Sequence, residues 1–184
     1  MKKLFVFSIA LLSFGASWAQ GKYFTKTGKI YFNSTAKLEK VEATNRAVIA
    51  VIDTKTGNIQ FAAMLKAFEF EKALMQEHFN ENYVESDKFP KSEFVGQVVN
   101  NTEINYSKDG VYPAKVKGKL TLHGVTKDVD ATGKIIVKSG AVSLSSDFNI
   151  LLSDFKVEIP GLVKENISNE TKISVDCQME PLKG

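Results

Sequence analysis

The chain has 184 residues, a formal net charge of +3 at pH 7, two histidines and one cysteine. A nucleic-acid-binding protein needs clustered Lys and Arg side chains to neutralise phosphates, and this near-neutral composition argues against that class. The single cysteine, Cys177, excludes an intramolecular disulfide, so the fold has to depend on its apolar core.

The N-terminus carries the pattern of a secretory signal peptide. Lys2 and Lys3 precede an uncharged, mostly apolar run over residues 4–14. Ser17 and Ala19 then place small residues at the −3 and −1 positions of a cleavage site. The apolar run is too short for a transmembrane helix, which needs roughly 20 apolar residues. We therefore expect export to the periplasm or secretion, without stable membrane insertion.

Cleavage after residue 19 would leave residues 20–184 as one domain with a formal charge of +1, since Lys2 and Lys3 are lost. The residue after the expected cut is Gln20 and not a cysteine, so we expect no lipid anchor. A chain of this length is sufficient for one domain with a sizeable core.

Apolar residues alternate with polar ones along most of the expected mature chain, which is typical of half-buried antiparallel strands. The clearest case is residues 115–123, where Val116, Leu120 and Leu122 share one face. The same period of two occurs at Ile30/Phe32, Ala47/Ile49/Val51, Val129/Ala131/Ile135/Val137, Val142/Leu144/Phe148/Ile150 and Ile173/Val175/Cys177/Met179.

Turn sequences that contain glycine separate these segments at residues 55–58, 107–110, 123–124 and 138–140. They divide the chain into about eight or nine strands joined mostly by hairpins. A meander of that size folds into a sandwich or closes into a barrel, and closure removes exposed strand edges. The pattern therefore predicts an all-β, closed antiparallel barrel of about eight strands.

One segment departs from the alternation. Residues 71–79 contain no β-branched side chain, and their apolar residues fall on neighbouring helical turns, which predicts one short amphipathic helix. A long polar loop over residues 80–90 follows, before a strand that starts near Ser92. Because a closed barrel needs a movable segment to admit a long ligand, we predict that residues 71–90 form its portal.

Residues for catalysis are few. The chain has no nucleophile-elbow, zinc-protease or phosphate-loop motif. Glu77 and His78, with Glu81 and Glu85 nearby, are either a zinc site or, more commonly for such a cluster, a solvated helix end. His123 adjoins a turn and is either a general base or a residue that hydrogen-bonds the turn backbone. We therefore predict no catalytic residue, no metal and no cofactor.

The chain contains thirteen phenylalanines, many of them at positions expected to face inward. Any one of them is explained by an ordinary core. Collectively they suit an apolar lumen, because an eight-stranded barrel is just wide enough to be filled by side chains or to hold one small ligand. The phenylalanines expected to face inward are Phe61, Phe68, Phe70, Phe79, Phe89, Phe94, Phe148 and Phe155.

Residues 118–127, Gly-Lys-Leu-Thr-Leu-His-Gly-Val-Thr-Lys, match every fixed position of a G-x-L-T-x-H-G-V-T-K signature. In this segment the chain resembles the YceI-like family of exported polyisoprenoid-binding proteins. Residues 89–96 resemble the family's aromatic-Pro-x-x-x-Phe-x-Gly stretch, and residues 147–150 resemble its D-F-x-[IV] strand. Ser145 and Ser146 replace the basic residue often found before that strand.

The resemblance extends from about residue 28 to residue 179. It implies a lipocalin-like barrel whose hydrophobic tunnel holds a polyisoprenoid or a similar long apolar chain, such as a fatty-acid-like lipid, with any polar headgroup near the mouth. It also implies transport, storage or sequestration of that lipid and no enzymatic activity.

We nominate two groups of ligand-binding residues. The predicted tunnel lining consists of Ile49, Val51, Phe61, Met64, Phe68, Phe70, Phe79, Phe94, Val98, Leu120, Leu122, Phe148 and Ile150. Arg46, the only arginine, and His123 are nominated for the mouth, where a charged headgroup would need donors. For Arg46 the alternative is a solvated strand end.

Two other functions remain open at this point. One is a structural or interaction module with a filled barrel and no ligand, and the other is an enzyme that acts on a bound lipid through His78 or His123. A homodimer through strand edges is also compatible with the pattern.

Overall fold

The computed structural model describes residues 21–35, 40–160 and 167–182, so the expected signal peptide lies outside the described residues. The nine strands in these ranges are β1 (Lys22–Thr35), β2 (Lys40–Asp53), β3 (Asn58–Met64), β4 (Phe68–Glu69), β5 (Lys91–Val98), β6 (Gly110–Leu122), β7 (Val125–Lys138), β8 (Ala141–Leu151) and β9 (Ile167–Pro181). Helical segments are α1 (Ala73–His78), a π-helical turn (Phe79–Tyr83) and 3-10 turns at Leu65–Ala67, Asn101–Glu103 and Leu152–Phe155.

The strands close into one antiparallel barrel, as predicted. The order is β1-β9-β8-β7-β6-β5-β3-β2, and β2 pairs again with β1. The two-residue strand β4 pairs only with β2 and does not belong to the closed ring of eight. Consecutive strands are neighbours around the ring, except that β4 and α1 intervene between β3 and β5. Closure pairs both edges of the sheet and so stabilises it against edge-to-edge association.

The predicted helix is present, but it begins later than expected and a π-helical turn follows it. It was expected over residues 71–79, and α1 covers Ala73–His78. The π-helical turn Phe79–Tyr83 extends it into the segment that was predicted to be loop. Strand β5 begins at Lys91, one residue before its expected start.

A β-bulge in β2 corrects one part of the predicted alternation. Ile30 pairs with Asn45 and Gly28 pairs with Val48, so β2 carries one extra residue between these pairs. The Ala47 amide donates to Asn45 Oδ1 at 2.9 Å, which satisfies the bulged backbone. Because Asn45 and Val48 are both fully buried, the inward phase shifts by one residue at this point.

One end of the barrel is filled by side chains. At this closed end, which holds the β2–β3 and β7–β8 turns, a buried cluster includes Ile52, Val137 and Met179. The loop between β5 and β6 covers it, and burial raises the pKa of Tyr106 in that loop to about 12. Cys177 belongs to the same cluster, and burial raises the pKa of its thiol to about 11, so it acts as a small apolar side chain.

Candidate functional site

The other half of the barrel encloses a cavity of about 300 Å³. Its floor is the top of the closed-end cluster, at Ile59, Val98 and Ile135. From there it extends toward the open end, where α1, the β6–β7 turn and the Leu152–Phe155 turn lie. Most of its wall is aliphatic or aromatic, which is the chemistry of a site for an apolar molecule.

Most of the predicted lining residues meet at this cavity. They come from strands β3, β4, β5, β6 and β8 and from the segment around α1, and the barrel brings their side chains to one cavity. Those that line it are Phe61, Phe68, Phe70, Phe79, Phe94, Val98, Leu120, Leu122, Phe148 and Ile150. Contact of these side chains with a ligand stays a prediction.

Three predicted lining residues lie elsewhere. Ile49 is 47% exposed, and neither it nor the half-buried Val51 lines the cavity, because the β2 bulge turns both away from the interior. Met64 is 51% exposed, since its neighbour Ala63 is buried and takes the inward position of β3. The prediction for these three side chains is therefore wrong.

Several cavity residues were not nominated. Phe32, Val129, Ala131 and Ile173 line the cavity, and each lies on a strand where the alternation of polar and apolar residues already indicated an inward face. Loop residues such as Val84 also contribute, and there no periodicity marks the inward side chains. The strand residues could have been found by extending the pattern, whereas the loop residues could not.

Four phenylalanines connect the helical segment to the barrel. Phe32 of β1 packs against Phe68, Phe70 and Phe79 with ring centroids 5.5 to 5.8 Å apart. Phe70 and Phe79 approach each other at 5.1 Å. We call these four side chains the phenylalanine cluster. Because their contacts are apolar and largely non-directional, the cluster holds α1 against the barrel without fixing it by hydrogen bonds.

Two glycines let Phe94 lie flat on the cavity wall. Gly96 and Gly118 are direct cross-strand partners in β5 and β6. A Cβ on Gly118 would lie 2.5 Å from Cζ of Phe94, and a Cβ on Gly96 would lie 2.7 Å from the same atom. The Phe94 ring therefore occupies the space that two side chains would need, which leaves the centre of the cavity open.

Two buried hydroxyls face the cavity and differ in their bonding. Ser34 Oγ donates to the Ser168 carbonyl at 2.7 Å. Thr171, which is 3% exposed, has no hydrogen-bond partner for Oγ1 within the described part of the chain. An unpaired buried hydroxyl costs about 1–3 kcal/mol. Thr171 thus places an unpaired hydroxyl on a mostly apolar wall.

Replacing Thr171 with valine should raise the free energy of unfolding of ligand-free protein by about 1 kcal/mol, because it removes an unpaired polar group at nearly constant shape. The matched change Ser34→Ala should lower it by about 1 kcal/mol, because it removes a bonded hydroxyl. Urea unfolding measures both effects. A loss of stability in Thr171→Val would show that this hydroxyl has a partner.

His123 joins two loops at the open end. Its Nε2–H donates to Glu85 Oε2 at 2.6 Å, and its Nδ1 lies 3.2 Å from the Phe155 carbonyl oxygen. The rings of His123 and Phe89 pack edge to face with their centroids 4.9 Å apart, and Phe89 also packs against Gly124 of the same turn. His123 does not line the cavity, so the structure gives it a positioning role and not the predicted place at the mouth.

Arg46 and the acidic helix segment do not form a binding site in the structure. Arg46 is exposed on the outer wall, 3.9 Å from Glu69, and matches the alternative of a solvated position. Among the residues that the structure describes, no three His, Cys, Asp or Glu side chains come close enough together to hold a metal ion. Glu85 pairs instead with His123 and Lys88. No helix in the described ranges is long and apolar enough to cross a lipid bilayer.

Comparison with known proteins gives a consistent result. Residues 5–179 match the YceI-like domain family. A polyisoprenoid-binding domain from Saccharophagus degradans, implicated in plant cell wall breakdown, superposes with a TM-score of 0.76 at 15% identity, over 88% of this chain and 99% of that one. BcnA from Burkholderia cenocepacia gives 0.69 at 15% identity, over 83% and 96% of the two chains.

A YceI protein from Campylobacter jejuni gives a TM-score of 0.52 at 17% identity over the full length of both chains. At such identities these likenesses establish the fold alone. No functionally curated protein matches the sequence significantly.

Proposed function

The chain belongs to the YceI-like domain family, and from that premise we propose that it is an exported binding protein that encloses a polyisoprenoid or a similar long apolar molecule. The observation that carries the proposal is the apolar cavity of about 300 Å³ inside a closed barrel. The polyisoprenoid-binding domain from Saccharophagus degradans, which has the same fold, supports this class of ligand.

The cavity suggests how such a ligand is held. Its volume is near the lower end of the range of about 300–1,000 Å³ that is usual for ligand pockets. A long hydrocarbon would therefore be enclosed over part of its length and would project through an opening. Each enclosed methylene contributes about 0.8 kcal/mol, reduced by the cost of ordering the chain. Affinity should rise with chain length until the cavity is filled.

Binding without turnover agrees with the surroundings of the two histidines. Both ring nitrogens of His123 face acceptors in the protein, and its ring lies outside the cavity. His78 lies on α1 at the edge of the cavity, without a carboxylate or hydroxyl partner among the described residues. A general base needs an orienting partner and access to the substrate, and neither histidine has both.

Export completes the proposal. The pattern of residues 1–19 supports delivery to the periplasm or the exterior, where a barrel with a closed apolar interior would carry, store or sequester a lipid through aqueous surroundings.

Native mass spectrometry of residues 20–184, purified without detergent from the periplasm of its own cells, tests the proposal. We expect a discrete added mass, and extraction of that material should yield an isoprenoid or another long-chain lipid. A protein that emerges bare and also fails to bind added isoprenoid alcohols and fatty acids would favour the ligand-free module instead.

The portal is assigned in the same proposal to residues 71–90, which lie over the open end. The His123 hydrogen bond holds the pKa of Glu85 below its usual value of 4.5. A carboxyl group with a lowered pKa contributes stability at neutral pH, and this contribution fades as the pH falls through its folded pKa, below 4.5. The contact therefore fastens the portal loop at neutral pH.

Glu85→Gln should weaken this fastening at pH 7, because an uncharged amide is a poorer acceptor for the imidazole N–H. We expect severalfold faster amide hydrogen exchange over residues 85–89 and faster uptake of an apolar probe, with global stability nearly unchanged. Glu81→Gln, in the π-helical turn that precedes Glu85, is the control. Equal exchange rates in both variants and in the parent protein would contradict a fastening role.

A further inference from the structure

The barrel wall is incompletely paired between β7 and β8. These strands pair from Lys138 and Ala141 at the closed end as far as Gly133 and Ser146, and the pairing ends there. Beyond this point, within the part of the chain that the structure describes, residues 125–132 of β7 pair with β6 alone and residues 147–151 of β8 pair with β9 alone. We call the gap between these two unpaired edges the slit, and the Gly133–Ser146 pair its base.

The base of the slit has local features that fit its geometry. The Ser146 hydroxyl donates to the Thr132 carbonyl at 2.8 Å, and so satisfies the first backbone acceptor of β7 beyond the last pair. A Cβ on Gly133 would lie 2.4 Å from the Ser145 carbonyl oxygen, so glycine permits the close approach of the strands there. The separation of the strands thus begins at a defined and hydrogen-bonded position.

The cavity extends into the slit. Val129 and Ala131 of β7 and Phe148 of β8 line the cavity from within. At the base, the cavity wall also includes Lys134 and Ser145, two exposed and directly paired residues on the outer face. The lining of the cavity thus extends, at the base of the slit, to two residues of the outer face.

The charges around the two openings differ. Residues 71–88, over the open end, contain five carboxylates and two lysines. On β7 and β8, Asp128, Asp130 and Asp147 are each paired with a lysine. Asp176 of β9, the cross-strand partner of Ser145, lies opposite Lys29 of β1. Lys134 is exposed and has no ion pair among the described residues. Electrostatic interactions therefore favour an anion at the base of the slit more than at the open end.

We propose that the slit is a subsite for an anionic end group of the enclosed molecule, a carboxylate or a phosphate, bound by the Lys134 ammonium and the Ser145 hydroxyl. The inference rests on the proposed function, because it concerns the polar end of the same ligand. The hydrocarbon lies in the cavity, and its charged end leaves through the side of the barrel. A chain longer than this cavity has to project through an opening, and the slit is one of the two openings.

The test compares two probes that differ only in their end group, dodecanoate and dodecanol, by isothermal titration calorimetry at low ionic strength. Lys134→Gln should weaken dodecanoate binding about threefold, as expected for one exposed ion pair, and leave dodecanol binding unchanged. Lys138→Gln, a change of an exposed lysine on the same face of β7, is the matched control and should affect neither probe. Added salt should reduce the Lys134 effect.

Each outcome has one meaning. Equal changes for the two probes, or the same loss in Lys138→Gln, would overturn the slit subsite while the proposed function stands. Failure of the parent protein to bind either probe would count against the proposed function itself. Inorganic phosphate alone should not compete with dodecanoate, and competition at similar concentrations would show a free-anion site in place of an end-group subsite.

Discussion

Ala131→Trp should weaken the binding of dodecanol about fiftyfold and leave the barrel folded. Ala131 is a small residue on the cavity wall, and it lies on the part of β7 that has no partner on its β8 side. The indole would fill space that the ligand needs, and displacing about three methylene groups costs about 2.4 kcal/mol. The unpaired edge gives the new side chain room to settle without breaking strand pairs.

The control for this change is Lys115→Trp. Lys115 is exposed on the outer face of β6, next to Val116, which is the cross-strand partner of Ala131. The only tryptophan of the sequence, Trp18, lies in the expected signal peptide, so each introduced indole is a unique fluorophore in residues 20–184. We expect a blue-shifted spectrum for Ala131→Trp alone. Undiminished dodecanol binding by a folded Ala131→Trp protein would contradict ligand occupancy of this cavity.

Gly118→Ala should lower the free energy of unfolding by about 2–3 kcal/mol, which is the usual range for overpacking a rigid interior. An alanine normally suits a strand better than glycine, so the sign is set by the contacts. The added methyl would lie 2.5 Å from the Phe94 ring and 2.6 Å from the Val95 carbonyl oxygen. The ring can rotate away, whereas the β5 backbone cannot yield without loss of strand pairing.

Gly110→Ala provides the comparison. Gly110 begins β6, and the three atoms nearest to an added Cβ there all belong to the Tyr112 side chain, at 3.1 Å. We expect a change within about 0.5 kcal/mol for this variant. Urea unfolding of both variants measures the difference. Equal stabilities would show that the close approach of Phe94 to Gly118 is not a constraint on the fold.

The sequence was sufficient to predict the barrel because most strands keep a strict period of two. The predictions for β6 to β9 depended on this local pattern, and the pairing of these strands agrees with it. In β2 the same reasoning failed at Ile49 and Val51. One bulged residue exchanges the inward and outward positions of the later residues of this strand. The apolar residues of β2 do not reveal the bulge. The residue associated with it is Asn45, a polar side chain that is buried on the inward face of the strand.

Residues of the signature over 118–127 make structural contacts that the sequence alone did not reveal. Gly118 makes room for Phe94, and His123 and Gly124 seat the loop that carries Glu85 and Phe89. Each of these contacts joins residues that are distant in sequence, so the spacing of residues along the chain could not indicate the contact. The slit depends likewise on where two strands separate, which is a property of the closed barrel and not of either strand.

The filled closed end has a consequence for ligand exchange. Side chains of the closed-end cluster block one end of the barrel. A bound hydrocarbon chain therefore cannot enter the barrel at one end and leave it at the other. The ligand and the structural core occupy separate halves, so a bound molecule should slow hydrogen exchange near the helix and leave the strands around Cys177 as protected as before. Substitutions around the cavity can then change ligand preference without lowering the stability that the closed-end cluster provides.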